Sequence, residues 1–295
     1  MNKYIYVLFL IFTFLYSSAQ EIDNNVITND TLNDTLNAKS ILSKQDSIIL
    51  NDTNTVYELF VKGNKNFIKG KYDEAYDLYN MVLQKDSLKC AITDSSLIPK
   101  RVWNDSFRVN KLEITNLIYN LLGLCLIYKE KYQDAIAYFN QIIETDSNYR
   151  NVFYNRGVAK FYMRNYKDAI QDFNTAEQKD SVLIEAYTAN SLINNRLQNF
   201  VTAVKKADAG ISYKNDAANL YFYRGFAKFY LREYENAIDD YTLAIENNSN
   251  FERAYYNRGV AKHRLDMFSE ACLDWEKADN LGYSKAGETL QQLCK

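Results

Sequence analysis

Residues 150–183, RNVFYNRGVAKFYMRNYKDAIQDFNTAEQKDSVL, form one copy of a pattern that returns every 34 residues. Gly157 sets the frame: Gly123, Gly225 and Gly259 lie at multiples of that step, and Ser191 takes the remaining slot. Tyr132, Tyr166, Phe200, Tyr234 and Phe268 keep the same interval, as do Ala135, Ala169, Ala203, Ala237 and Ala271. A period of this length denotes stacked two-helix units, each too small to bury its apolar face alone. An earlier unit in the same frame opens at Val56 and holds Gly63, Tyr72, Ala75 and Tyr79. Units are therefore expected at 56–89, 116–149, 150–183, 184–217, 218–251 and 252–285. Residues 90–115 interrupt the register as an insertion containing Pro99. Ser284 to Lys295 reads as one further helix, whose part beyond the last unit, 286–295, is a cap.

The spacing has physical causes. Five of the nine glycines (63, 123, 157, 225 and 259) occupy position 8 of the unit, mid-helix. Glycine there costs up to about 1 kcal/mol relative to alanine, so a second backbone is expected to approach closely. The alanines at position 20 are the expected partners, with bulky residues at positions 17 and 24 filling the space beside them. Units end in Asp86-Ser87, Asp146-Ser147, Asp180-Ser181 or Asn248-Ser249, read as N-caps for the helix that follows. The fourth unit, with Ser191 and Ala207 in place of glycine and an aromatic, is expected to pack more loosely.

At these residues the chain resembles the tetratricopeptide repeat family, over 56–89 and 116–285. The match lies in Gly at 8, Tyr or Phe at 17, Ala at 20, an aromatic at 24 and often Ala at 27 (Ala176, Ala244, Ala278). The proline usual at position 32 is replaced by Ser or Asn. Ala271, Trp275, Ala278, Gly282 and Ala286 give the last unit a similarity to the related Sel1-type repeat. The resemblance implies an all-α, right-handed α-solenoid of about six helix pairs plus a capping helix. It also implies a binding scaffold for a protein or peptide, without catalysis or cofactor.

Residues 1–19 read as an export signal: Lys3, an apolar run from Tyr4 to Tyr16, and Ser17-Ser18-Ala19 before Gln20. An uncleaved anchor is the competing reading, although 13 residues fall short of the roughly 20 a span needs. The reading places the chain in the periplasm, outside the cell or on its surface. Loss of Lys3 takes the formal charge from −2 to −3. Residues 20–55, rich in Asn, Asp, Thr and Ser, set six acids against Lys39 and Lys44 and read as a flexible polar tether. No clustered positive excess points to nucleic acid. Four cysteines in an exported chain suggest disulfides. An antiparallel helix pair turning near Gly282 brings Cys272 beside Cys294, leaving Cys90 for Cys125. Buried free thiols are the alternative.

Three units share a charge set: Arg156, Lys160 and Asp172; Arg224, Lys228 and Asp240; Arg258, Lys262 and Asp274. Units lacking the cations lack the acid as well, with Leu122, Leu126 and Tyr138, or Asn190, Asn194 and Lys206, in their places. Mutual neutralisation between the two helices of a unit is the reading, and a basic ligand track the alternative. In the resembled family the first helices line a concave groove, which implies a partner-binding surface from Tyr154, Asn155, Tyr162, Asn195, Arg196, Phe222, Tyr223, Tyr230, Tyr256, Asn257, His263 and Arg264. Rings beside amides suit an extended peptide, or stack on sugars in a glycan-binding alternative. Core packing between units competes for every one of these rings. His263 is the single histidine, and no nucleophile elbow, metal spacing or phosphate loop is present. An enzyme would need the insertion, where Asp94, Lys100, Arg101, Trp103 and Asp105 cluster.

Overall fold

The structure is a computed structural model, and it describes residues 53–84, 111–149 and 151–294. The leader, the tether up to residue 52, and most of the insertion with Cys90, Pro99 and the Asp94–Asp105 cluster lie outside the described residues. Among these there are thirteen helices and no strand: α1 (Thr53–Ile68), α2 (Tyr72–Gln84), α3 (Lys111–Tyr128), α4 (Tyr132–Thr145), α5 (Val152–Tyr162), α6 (Tyr166–Lys179) and α7 (Ile184–Arg196), then α8 (Phe200–Tyr213), α9 (Ala218–Tyr230), α10 (Tyr234–Asn247), α11 (Glu252–Arg264), α12 (Phe268–Asn280) and α13 (Ser284–Leu293). The first helix of the second repeat starts at Lys111, five residues inside the stretch expected as insertion.

Two compact units are present, one ending at Asp172 and the other beginning at Phe173. In the first, α1 packs on α2, α2 on α3, α3 on α4 and α4 on α5. In the second, each helix from α7 to α13 packs on the next. The fold is an all-α repeat solenoid, built from consecutive helix pairs.

One turn geometry recurs inside every pair. Position 15 is left-handed in all six repeats, at Gly70, Glu130, Arg164, Gln198, Arg232 and Asp266. The following N–H reaches back to the carbonyl of position 11, as in Lys131 to Leu126 (2.8 Å) and Glu233 to Lys228 (2.9 Å). This is the Schellman ending, which satisfies carbonyls that the helix leaves open. Only the first repeat uses glycine; the other five hold an L-residue where it costs roughly 1–2 kcal/mol.

The turns between pairs depart from the capping expected of Asp146, Asp180 and Asn248. Each side chain instead accepts the backbone N–H two residues on, from Asn148 (2.9 Å), Val182 (3.1 Å) and Asn250 (3.1 Å). These are Asx turns, local bonds that compete with helix continuation. The helices that follow start at Val152, Ile184 and Glu252, too far along the chain to be capped by them. Their N-cap residues Asn151, Leu183 and Phe251 make no side-chain cap bond.

The expected alanine backbone reaches the position-8 glycine at Gly225 (Ala237 carbonyl, 3.2 Å) and Gly259, but at Gly63, Gly123 and Gly259 the position-24 ring comes closest. A methyl at Gly63 falls 2.7 Å from the Tyr79 ring, and one at Gly123 falls 2.6 Å from the Phe139 ring. At Gly259 the Trp275 indole is 2.7 Å away, ahead of the Ala271 carbonyl at 3.0 Å. The bulky position-24 ring thus lies on the bare glycine, and the position-20 alanine contributes its carbonyl. In the fourth repeat Ser191 donates to the Ala203 carbonyl (3.0 Å), and Gly210 admits Leu220 and Tyr187 into the space that Ala207 leaves. Ser191, Ala203 and Ala207 are fully buried, so this repeat is closed rather than loose.

A contact absent from the sequence reading links successive repeats. The position-17 ring stacks on the position-13 ring of the next repeat: Tyr72 on Tyr128 (4.3 Å between centroids), Tyr132 on Tyr162 (5.4 Å) and Phe200 on Tyr230 (4.8 Å). At the end of the stack, Cys272 in α12 is disulfide-bonded to Cys294 just beyond α13. Cys125 departs from the expected pairing. It is a free thiol buried in α3, and burial pushes it up to about 12.

Candidate functional site

The three charge sets converge in space. Arg156 places Nη2 2.6 Å from Asp172 Oδ1, while Lys160 Nζ lies 2.7 Å from Oδ2. Arg224 and Lys228 hold Asp240 at 2.6 and 2.8 Å, and Arg258 and Lys262 hold Asp274 at 2.7 and 2.8 Å. Each arginine has a further partner that the spacing did not reveal. Its Nη1 donates to position 25 of the preceding repeat: Asn140 (2.7 Å), Asp208 (2.7 Å) or Thr242 (3.0 Å). The same guanidiniums lie beside the position-4 rings of Phe153, Tyr221 and Tyr255. Each arginine therefore joins two repeats as well as two helices. The Asp240 side chain is 2 % exposed, which makes this a buried network rather than a surface pair.

Most residues expected to line a groove lie within the stack. Tyr154, Asn155, Phe222, Tyr223, Tyr256 and Asn257 are buried. Asn155 donates to Asn120 of the preceding repeat (2.8 Å). Phe222 packs on Tyr241 and Phe251, with the Arg253 guanidinium 5.3 Å from its ring centre. The Tyr256 ring meets Tyr283, and its hydroxyl lies 3.3 Å from Thr289 in α13. Tyr162, Arg196, Tyr230, His263 and Arg264 are half-buried, at the C-terminal ends of the first helices. His263 packs edge-on to Phe268 (5.1 Å) and near Trp275 (5.7 Å). Burial, then the neighbouring Arg264, holds its imidazole below the ordinary value, with Asp266 opposing.

Two buried atoms on these first helices stand out in the unit beginning at Phe173. Asn195, 4 % exposed, spends Nδ2 on the Tyr223 carbonyl (2.8 Å), but its Oδ1 has no hydrogen-bond partner. Arg264 Nε is likewise buried and without one. Buried polar atoms are paired in the great majority of cases, so one open acceptor and one open donor are informative. The open acceptor lies on α7 and the open donor on α11, two repeats further along. No group of three or more His, Cys, Asp or Glu arranged to hold a metal ion occurs among the described residues, and none of their helices is long and apolar enough to cross a membrane.

Residues 118–149 match the family model described as tetratricopeptide repeat. No curated protein matches the chain in sequence. Among solved structures, MamA is 23 % identical over 59 % of this chain and 94 % of its own, with a TM-score of 0.51. MamA 41-end from Desulfovibrio magneticus RS-1 is 16 % identical over 58 % of this chain and 96 % of its own (TM-score 0.52). YrrB, described as a TPR protein with an unusual peptide-binding site, is 16 % identical over 60 % of this chain and 91 % of its own (TM-score 0.50). At such identities the likeness is one of fold. Residues 118–149 thus match a tetratricopeptide repeat, and the stack of helix pairs around them shares the fold of YrrB, a TPR protein.

Proposed function

We propose that this chain is an exported, non-catalytic scaffold of the cell envelope that binds an extended segment of a protein partner along its first helices. The observation that carries the reading is the pair of unsatisfied buried atoms, Asn195 Oδ1 and Arg264 Nε. A peptide offers N–H to the first and a carbonyl or carboxylate to the second, which removes the cost of leaving either bare. The peptide-binding site named for YrrB agrees in kind. The apolar run behind Lys3 supports export to the periplasm or cell surface, and the Trp275–Gly282 pattern supports a Sel1-type last repeat.

Titrating the full chain with extended peptides while following tyrosine and tryptophan fluorescence tests this reading. Arg264→Gln should weaken binding by roughly tenfold, the contribution of one charge-assisted hydrogen bond. Equal affinity of the variant and the parent would overturn it. The half-buried ring pairs Tyr132/Tyr162 and Phe200/Tyr230 favour a second reading, stacking on sugar rings. Saturable binding of oligosaccharides, with none of peptides, would select that alternative.

A further inference from the structure

The C-terminal helix has the parts of a latch. It is ten residues long, Ser284–Leu293, and Ala286 is the one residue it fully buries. A helix this short does not hold its form in water without tertiary support. Its start is a hinge: Gly282 adopts φ 91°, a conformation glycine enters without strain. Tyr283, just before its first turn, rests against Tyr256 of the last repeat, and Thr289 in its middle lies beside the Tyr256 hydroxyl. Its far end is fixed covalently by Cys294 to Cys272. Both cysteines are half-buried rather than enclosed.

We propose that the Cys272–Cys294 disulfide is a redox latch, and that its reduction releases α13 from the end of the last repeat. The reductant is a dithiol, either a small molecule or a thioredoxin-class protein. Its thiolate attacks one sulfur, forming a mixed disulfide and expelling the other sulfur as a thiolate that takes up a proton. The second reductant thiol then displaces the first sulfur, and the reductant leaves as its own disulfide. Two electrons and two protons pass to Cys272 and Cys294, and no other bond changes. Without the cross-link over a separation of 22 residues, α13 is held by its packing on α12 around the buried Ala286 and by the contacts to Tyr256, and it opens about Gly282. Opening uncovers the Tyr256 ring, which Tyr283 covers in the closed form.

Hydrogen exchange on the full chain, oxidised and after dithiothreitol at neutral pH, tests the latch. Amides of 284–293 should exchange on the order of 100-fold faster after reduction, as loss of a loop of this size implies. Amides of α8 and α10 should be unchanged, and reoxidation should restore the slow rate. The variant Cys272→Ser with Cys294→Ser should match the reduced parent without added thiol. Unchanged protection of 284–293 in both would show that packing alone holds the helix, and the latch would be rejected. Loss of protection throughout would make the bond a general staple, and would also reject it. A disulfide that resists dithiothreitol in the folded chain would do the same.

Discussion

Lys206 stands where Asp172, Asp240 and Asp274 stand in other repeats, and its ammonium lies 2.5 Å from Glu177 of the preceding repeat. Asn190, in the place of the arginines, donates to the same Glu177 and to Asn174 (both 2.8 Å). The fourth repeat has thus exchanged the sign of its buried charge without losing the link to its neighbour. Lys206→Ala leaves the nearly buried Glu177 carboxylate with only an amide, and should destabilise by about 1–3 kcal/mol. Thermal unfolding followed by circular dichroism measures this. An unchanged midpoint would mean that solvent replaces the ammonium at no cost.

Asp240 holds two cations, so its loss should exceed that of a surface ion pair. Asp240→Ala should cost about 3 kcal/mol by leaving Arg224 and Lys228 without their shared buried acid. Asp208, 53 % exposed, should cost under about 1 kcal/mol when replaced by alanine. The ordering of the two variants is the test, and reversal would place the weight of the network on the link between repeats.

Gly123→Ala should be strongly unfavourable, because the new methyl meets the Phe139 ring at 2.6 Å. Overpacking of this kind costs about 1–3 kcal/mol. Arg232→Gly should act in the opposite direction. Arg232 is exposed with φ 67°, and glycine removes the left-handed strain for a gain of roughly 0.5–1 kcal/mol. A lower melting temperature for Arg232→Gly would count against strain at position 15.

His263 has its folded-state pKa lowered, so the unfolded chain binds its proton first as pH falls. Its contribution to stability is therefore present above the usual value near 6.5 and is lost on acidification below it. The fall in melting temperature between pH 7.5 and 5.5 should be smaller in His263→Phe than in the parent. Identical slopes would exclude His263 as the group responsible.

Cys125 should resist alkylation in the native chain at pH 8, since burial keeps its thiol protonated. Mass spectrometry of the Cys125 peptide, before and after denaturant, distinguishes the states. Rapid native labelling would show that α3 opens readily.

The repeat length, the helix pairs and the grouping of Arg224, Lys228 and Asp240 were legible in the chain because period and charge co-occurrence are one-dimensional patterns. Other features required three dimensions. That Phe139, rather than an alanine, fills the space over Gly123 depends on rotamer direction across two helices. That Asp146 closes an Asx turn instead of capping a helix depends on where the next helix starts. The rings of Phe222 and Tyr256 were visible as aromatics at groove positions, but stacking of neighbouring repeats decided that they face inward. Asn195 showed no sign in the sequence of an acceptor left open, because that follows only once Tyr223 takes its amide. Sequence by itself determined which residues repeat, since each unit must bury the same apolar stripe. Tertiary structure alone decided which of them remain available to a partner, since availability is whatever packing between repeats does not consume.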